Sequence, residues 1–313
     1  MRIVLLLTVG LLISSCVNQV NVMQNGIILV KSKHLFSKDL YAVNTQNSKE
    51  TIEKIPKYIG DQPDWSPDGQ WIVYSTNFEA RFSANDIEPD IFLIKSDGSE
   101  KIKLVEKADD PDWSLDGNHI AYSSDGGIYV ADVSCYITKR QGCVLTPKFI
   151  VEGYSPSWSP DGKMLVFQVL HRSIVSIVNI ENLEVSALPE NLGECVTPSW
   201  SHVENKIAVS CWSDTDEGVY IYDFANAAIT KLELGKRCYK PQWSPDGEKI
   251  ACIAQYVESI KYQDIQPPHD ALYIMDKNGE NLTRITFREE ENIYWFSWVP
   301  DNGNLQECWG LCQ

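Results

Sequence analysis

The sequence predicts an all-β fold: a six-bladed β-propeller with four antiparallel strands in each blade. The first observation behind this prediction is the segment 63–69 (PDWSPDG), which recurs along the 313-residue chain. Its six copies, one of them degraded, centre on Trp65, Trp113, Trp158, Trp200, Trp243 and Trp298. The spacings between these tryptophans are 48, 45, 42, 43 and 55 residues, and a period in the forties is typical of propellers and solenoids.

The second observation is the pattern inside each repeat. The sequence Ser-Pro-Asp-Gly at 66–69 suits a type I turn, because Pro presets φ, Asp bonds to local backbone and Gly accepts a left-handed conformation. An apolar run such as 72–74 follows the turn, and a second hairpin, such as 91–94 with 102–105, comes next. Four strands of about five residues need roughly forty residues, which favours a four-stranded blade over a pair of helices.

The third observation is that the two ends of the chain complement each other. Residues 27–55 supply three strands without a tryptophan strand, and residues 293–298 supply a tryptophan strand with no blade after it. We expect the C-terminal strand to complete blade one and close the ring, which removes open sheet edges. The predicted propeller spans 27–299, and the remaining strand sets fall at 71–106, 119–150, 164–190, 206–233 and 249–286.

The repeat also carries a family resemblance. The pattern Trp-Ser-Pro-Asp-Gly-x-x-Ile-Ala, with a later Ile-Tyr-Val-x-Asp run at 128–132, resembles the TolB-like, WD-repeat-like propellers over nearly all of the chain after residue 16. The Gly-His and Trp-Asp signature of eukaryotic WD repeats is missing. TolB itself has an extra N-terminal domain, for which residues 17–26 leave no room, so the resemblance implies a TolB-like propeller without that domain.

The N-terminus resembles a secretion signal. Arg2 precedes an apolar run at 3–13 that is too short to span a membrane, and Ile-Ser-Ser-Cys at 13–16 looks like a bacterial lipobox. We expect residues 1–16 to be the signal with its lipobox, Cys16 to be lipidated, and 17–26 to be a tether. The alternative is a simple secretory signal with an incidental cysteine. With lipid on Cys16, the protein would be extracytoplasmic and lipid-anchored, on the periplasmic or cell-surface side of a bacterial membrane.

Nine cysteines agree with an oxidising compartment, and eight remain if Cys16 carries lipid. The pairing that we favour is within blades, with pairing between neighbouring blades as the alternative for the second and third pairs: Cys135 with Cys143, Cys195 with Cys211, and Cys238 with Cys252. Cys308 and Cys312 lie in the C-terminal tail, 300–313, and could pair there. Zinc is disfavoured because the chain has no Cys-x-x-Cys pair and few histidines.

Charge and motifs exclude several classes of function. The net charge of −16 argues against nucleic-acid binding, which needs a concentrated basic surface. The turn aspartates lack the alternating carboxylates of a calcium loop, and the stretch 153–157 lacks the second glycine of a nucleophile elbow. The repeated tryptophans are expected to pack between blades rather than stack on a ligand. No cofactor is expected from these motifs, and we expect the protein to be a monomer.

The predicted functional surface is one face of the ring. Long connections at 77–90 and 255–270 lie on the face from which the chain enters each tryptophan strand, and long loops often carry function. We expect binding residues across blade one: Arg81, Asp109, Asp110, Tyr154, Tyr239, His269, Glu289, Glu290 and Glu291. The loops could instead be solvated insertions without function.

Two functions remain open. The favoured one is a non-catalytic binding or scaffold protein of the bacterial cell envelope, which engages a protein partner or other ligand on this face or at the mouth of the central channel. It would contact the membrane through its lipid anchor only. The alternative is a metal-dependent carbohydrate-active or other propeller enzyme that gathers His34, His171 and His269, which requires His34 and His171 to fold inward.

Overall fold

The regular secondary structure of the described residues consists almost entirely of short β-strands. The computed structural model describes residues 27–34, 37–44, 51–54, 60–76, 88–138, 142–189, 192–214, 216–256, 269–286 and 292–300. Helix α1 (Ser134–Ile137) is the only helix in these ranges, so no helix among the described residues is long enough to cross a membrane.

The strands are named in chain order. The N-terminal strands are β1 (Ile27–His34), β2 (Ser37–Asn44) and β3 (Thr51–Lys54). Blade two contains β4 (Asp61–Trp65), β5 (Trp71–Ser75), β6 (Ile91–Lys95) and β7 (Lys101–Val105). Blade three contains β8 (Ala108–Trp113), β9 (His119–Ser124), β10 (Gly127–Asp132) and β11 (Lys148–Glu152).

The second half of the chain continues the same order. Blade four contains β12 (Tyr154–Trp158), β13 (Met164–Gln168), β14 (Val175–Asn179) and β15 (Val185–Ala187). Blade five contains β16 (Glu194–Trp200), β17 (Lys206–Trp212), β18 (Glu217–Asp223) and β19 (Ala228–Lys231). Blade six contains β20 (Cys238–Trp243), β21 (Lys249–Tyr256), β22 (His269–Asp276) and β23 (Thr283–Arg284), and β24 (Asn292–Trp298) follows it.

Each blade is a sheet of four antiparallel strands. Blades two to six are each formed by four consecutive strands, paired in chain order. A further four-stranded sheet has the order β24-β1-β2-β3, in which Ile28 pairs with Trp298 and Val30 with Phe296. We call it the terminal sheet because its strands come from both ends of the chain. The prediction of an all-β propeller with four antiparallel strands in each blade is confirmed.

The Ser-Pro-Asp-Gly segments form tight turns after the innermost strands. In blade two, the Ser66 hydroxyl donates to Asp68 Oδ1 at 2.6 Å, and the Gly69 N–H donates to the Ser66 carbonyl at 2.8 Å. Gly69 has φ 68°, the left-handed region that favours glycine. The same Ser-to-Asp bond occurs in blades three, four and six. The turn aspartates therefore hold the hairpins, as predicted.

The repeated tryptophans form the core between blades. Trp243 of blade six packs against Ala208 and Val219 of blade five. Trp200 is fully buried, and the other five are at most 6% exposed. Burial of such large rings supplies much of the hydrophobic stabilisation that holds each blade to the next. The predicted packing role of the tryptophans is confirmed.

In the described part of the chain, three disulfides lie within single blades. Cys135 of α1 bonds to Cys143, Cys195 bonds to Cys211 across the paired strands β16 and β17, and Cys238 bonds to Cys252 across β20 and β21. The pairing within blades is thus confirmed. Cys16, Cys308 and Cys312 lie outside the described residues.

Candidate functional site

The five innermost strands β4, β8, β12, β16 and β20 share one irregularity. Each has a β-bulge three residues before its tryptophan, where the pairing with the next strand shifts register. The bulged residues have left-handed φ values of 49° to 52°: Gln62, Asp110, Ser155, Thr197 and Lys240. Residues other than glycine rarely adopt this conformation, and bulges redirect side chains.

One cavity, which we call the central channel, is lined by residues of the innermost strands β4, β8, β12, β16 and β20 and of β24. The cavity has a volume of about 550 Å³, and the proline two residues before each of the first five repeat tryptophans contributes to its wall. The bulged residues lie at one end of the strands, with Trp295 in the equivalent position on β24. We call this ring the channel mouth: Gln62, Asp110, Ser155, Thr197, Lys240 and Trp295. Leu115, His202 and Pro300 lie towards the other end, where the turns are.

Hydrogen bonds join three consecutive blades at the channel mouth. The Gln62 side-chain amide donates to Asp110 Oδ1, and the Asp110 N–H donates back to Gln62 Oε1 at 3.0 Å. The Ser155 hydroxyl donates to Asp110 Oδ2 at 3.1 Å. Asp110 is thus fixed between its neighbours. The Thr197 hydroxyl oxygen is buried and has no hydrogen-bond partner in the described part of the chain.

The opposite side of the mouth carries a partly desolvated cation. The Lys240 ammonium lies 3.8 Å from the centre of the Trp295 ring, a cation–π contact. Burial lowers the pKa of Lys240 to about 8, although the negative charges of Asp110 and Asp270 oppose this shift. Burial, with the side-chain hydrogen bond to Asp270, also raises the pKa of Tyr239. Asp270 therefore lies close to both Tyr239 and Lys240.

A second ring of side chains, one residue before each tryptophan, links neighbouring blades. Asp64 Oδ2 accepts the Trp113 N–H at 2.7 Å, and Asp112 Oδ2 accepts the Trp158 N–H at 2.9 Å. Ser157 accepts the corresponding bond from the next blade at 3.1 Å.

Blades two and three therefore use a carboxyl group where blade four uses a hydroxyl. Burial raises the pKa of Asp64 to about 7, while its hydrogen bonds with the backbone of Trp113 and Trp65 oppose the shift. Burial and the charge of Asp64 raise the pKa of Asp112 well above its usual range. Both carboxyl groups line the channel, so an electrically unfavourable pair lies in its wall.

The structure places the predicted site residues differently from one another. Asp110 is a channel-mouth residue, and the pKa of Tyr154 is raised by burial and by the charge of Asp110 nearby. Tyr239 lies beside Lys240 of the mouth and near Asp270. Asp109, in contrast, is only 2% exposed, because the bulge directs its neighbour rather than Asp109 into the channel. Its expected role as a surface binding residue is therefore not supported.

Four of the expected site residues lie outside the described part of the chain, and the three histidines lie within it. Arg81, Glu289, Glu290 and Glu291 lie outside the described residues, as does most of both long connections. His269 begins β22 and His34 ends β1, whereas His171 is exposed in the turn between β13 and β14. Among the described residues, no group of three His, Cys, Asp or Glu side chains could hold a metal ion.

Sequence reasoning missed most of the channel mouth. Gln62, Ser155, Thr197 and Lys240 stand three residues before a tryptophan, as Asp110 does. The signal was present, because this position changes its residue type from repeat to repeat while Pro, Trp and Ser recur around it. A position that varies within a repeated framework is available for function, because the packing of the blades does not fix its residue type.

Comparison with known proteins places the fold. No protein-family model matches the chain, and no curated protein matches it. TolB from Acinetobacter baumannii is 19% identical, with a TM-score of 0.62 over 88% of this chain and 67% of that chain. A putative TolB from Agrobacterium tumefaciens is 15% identical, with a TM-score of 0.60 over 89% of this chain and 99% of that chain. A chain of a nidogen/laminin complex is 10% identical, with a TM-score of 0.60 over 88% and 98%. These structures show that the chain has a TolB-like β-propeller fold.

Proposed function

We propose that this protein is a non-catalytic binding or scaffold protein of the bacterial cell envelope, which engages a protein partner at the channel mouth. One observation carries the proposal: five equivalent bulges present five different polar side chains around one opening. The backbone of the bulge is repeated, so it serves the fold. The side chains are not repeated, so their differences are available for specific recognition.

The chemistry of the mouth suits recognition rather than catalysis. Asp110 is held by Gln62 and Ser155, and Lys240 lies against Trp295. Fixed polar groups of both charges beside an aromatic ring resemble the polar contacts and aromatic anchors of protein interfaces. The TolB-like fold is compatible with this role but does not define it, since propellers host many functions.

The cellular setting is part of the proposal. The signal-like segment 1–16 and three disulfides favour an extracytoplasmic protein, and lipid on Cys16 would anchor it. We also propose that the terminal sheet closes the ring as blade one. The Trp298 indole N–H donates to the Gln242 carbonyl of blade six at 3.3 Å, and Ile293 packs in the same apolar cluster as Ile253, which supports this closure.

Site-specific photocrosslinking in the native envelope tests the proposal. A photoreactive residue at Ser155 or Thr197 should capture the same partner, and the additional change Asp110→Lys should abolish capture. The matched control is a photoreactive residue at Lys163, which is exposed in the turn at the other end of the strands. Equal capture from Lys163, or capture that Asp110→Lys leaves unchanged, would contradict a role for the channel mouth.

The enzymatic alternative has its own test. A metal-dependent enzyme using His34, His171 and His269 requires a metal ion bound in stoichiometric amount. Elemental analysis of protein purified without chelators should find less than one equivalent of transition metal or calcium if the proposed binding role is correct. A full equivalent that is lost when His171 is replaced by Ala would favour the enzyme.

A further inference from the structure

A second cavity lies between blades five and six, beside the channel mouth. It has a volume of about 300 Å³, near the lower limit for small-molecule sites. We call it the interblade cleft. Blade five supplies Ser210, Trp212 and Glu217, and blade six supplies Arg237 and Tyr239.

The strongest sign of a ligand is the Ser210 hydroxyl. Ser210 is 5% exposed, lines the cleft, and has no hydrogen-bond partner within the described ranges. A buried hydroxyl without a partner costs free energy, and each such group requires an explanation. A bound molecule that donates to or accepts from this hydroxyl would supply one.

Equivalent serines in two other blades show that the lack of a partner is local. Ser75 and Ser123 stand ten residues after their repeat tryptophans, as Ser210 does. The Ser75 hydroxyl donates to Gln62 Oε1 at 2.8 Å. The Ser123 hydroxyl accepts the Ser155 N–H of the next blade at 3.2 Å. The corresponding residue of blade six is Lys240, and the residue before it, Tyr239, lines the cleft together with Ser210.

The remaining lining combines an aromatic ring with paired charges. Trp212 contributes aromatic surface from blade five, whereas the ring of Tyr239 packs against the apolar cluster on the other face of blade six. Arg237 Nε lies 3.1 Å from Glu217 Oε2, so this ion pair joins the two blades at the cleft. Both side chains are about half exposed or more, and such a pair can adjust at little cost. The pair is neutral overall, which favours a ligand without net charge.

We propose that the interblade cleft binds one neutral pyranose ring of a saccharide. Such a ring offers an apolar face to Trp212 and hydroxyl groups that can both donate and accept at Ser210. Its hydroxyls can also bond to Glu217 and Arg237 while these remain paired. A free amino acid would instead have to separate the pair in order to bond through its own opposite charges.

Saturation-transfer NMR on the full chain tests this site. The probes are methyl β-D-glucopyranoside and N-acetylglucosamine, with glucuronate and free serine as charged and zwitterionic comparisons. We expect a neutral glycoside to bind, and Ser210→Ala to weaken its affinity about five- to tenfold through the loss of one hydrogen bond. Trp212→Ala should abolish the signal.

Ser123→Ala is the matched control, because it removes the equivalent hydroxyl in blade three and should leave glycoside binding unchanged. Ser210→Ala should melt no lower than the wild type, since it removes an unpaired buried group, so weaker binding cannot reflect unfolding. The proposal is overturned if no neutral glycoside binds, if free serine or glucuronate binds in preference, or if Ser210→Ala has no more effect than Ser123→Ala. The result is independent of partner capture at the channel mouth, which the photocrosslinking experiment measures separately.

Discussion

Replacement of Asp64 by Ser should stabilise the protein at alkaline pH. The carboxyl group of Asp64 accepts a hydrogen bond from the Trp113 N–H at 2.7 Å. In blade four, the neutral hydroxyl of Ser157 accepts the equivalent bond from the Trp200 N–H at 3.1 Å. The hydrogen bond between blades therefore does not require a charge. What Asp64→Ser removes is the cost of an ionised carboxylate in the channel wall.

The magnitude follows from the raised pKa. Burial raises the pKa of Asp64 from 3.8 to about 7, which corresponds to about 4 kcal/mol for a group fully withdrawn from water. Because the Asp64 side chain lines a channel that is open to solvent, screening reduces the expected effect to about 1–2 kcal/mol.

The sign of the pH dependence is fixed by the same shift. Below the unfolded pKa, both states are protonated and the carboxyl group costs nothing. As pH rises towards 7, the unfolded chain releases the proton before the folded chain does, so wild-type stability falls. Above pH 7 the full cost is present. The stability gained by Asp64→Ser should therefore be small at pH 4.5 and largest at pH 8.5, the two conditions of the assay below.

Thermal unfolding at these two pH values, with disulfides intact, measures the effect. At the higher pH, Asp64→Ser should raise the Tm by about 2 to 3 °C relative to the wild type. The reciprocal control is Ser157→Asp, which should introduce the same alkaline penalty in blade four. A variant that melts at or below the wild type at pH 8.5, or a gain that is equal at both pH values, would refute the reasoning.

Three further predictions concern the core, a disulfide and the channel mouth. Trp200→Ala should lower the free energy of unfolding by about 3–5 kcal/mol in a chemical unfolding experiment, because the ring is fully buried. Phe149→Ala, at a side chain that is 49% exposed, should cost far less, and similar values would contradict the packing role. Joint replacement of Cys135 and Cys143 by Ser should destabilise the protein by about 2–3 kcal/mol, since the disulfide closes a loop with a sequence separation of 8. A loss below about 1 kcal/mol in the same assay would argue against a stabilising role of this disulfide. Lys240 should react with an amine-directed acylating reagent at pH 8 faster than the exposed lysines, because its pKa is lowered to about 8. Peptide mass spectrometry measures the rate of labelling, and slower labelling of Lys240 would show that the amine is charged or shielded.

The repeat predicted the framework because packing demands the same residues in every blade. Each tryptophan has to fill the same gap between blades, and each Ser-Pro-Asp-Gly has to make the same turn, so both recur at fixed positions. Disulfide pairs such as Cys238 and Cys252 followed from the same repeat geometry.

The channel mouth could not be predicted from the repeat, because an inserted bulge breaks the alternation of strand faces on which such predictions depend. Asp109 and Asp110 show the difference. The two residues are adjacent and chemically identical, yet one is buried and the other belongs to the mouth. The interblade cleft was equally unpredictable, since it depends on a hydrogen bond that Ser123 makes and Ser210 does not.

The pairing of β1 with β24 has a consequence for biogenesis. Ile28 meets Trp298, so this contact joins positions near opposite ends of the sequence. During synthesis from the N-terminus, one edge of β1 stays unpaired until β24 has been synthesised, and contacts of such long range form slowly. An exposed strand edge invites association with other chains during that delay. A nonsense mutation or protease cut that removes β24 should therefore produce an aggregation-prone product rather than a shorter working one.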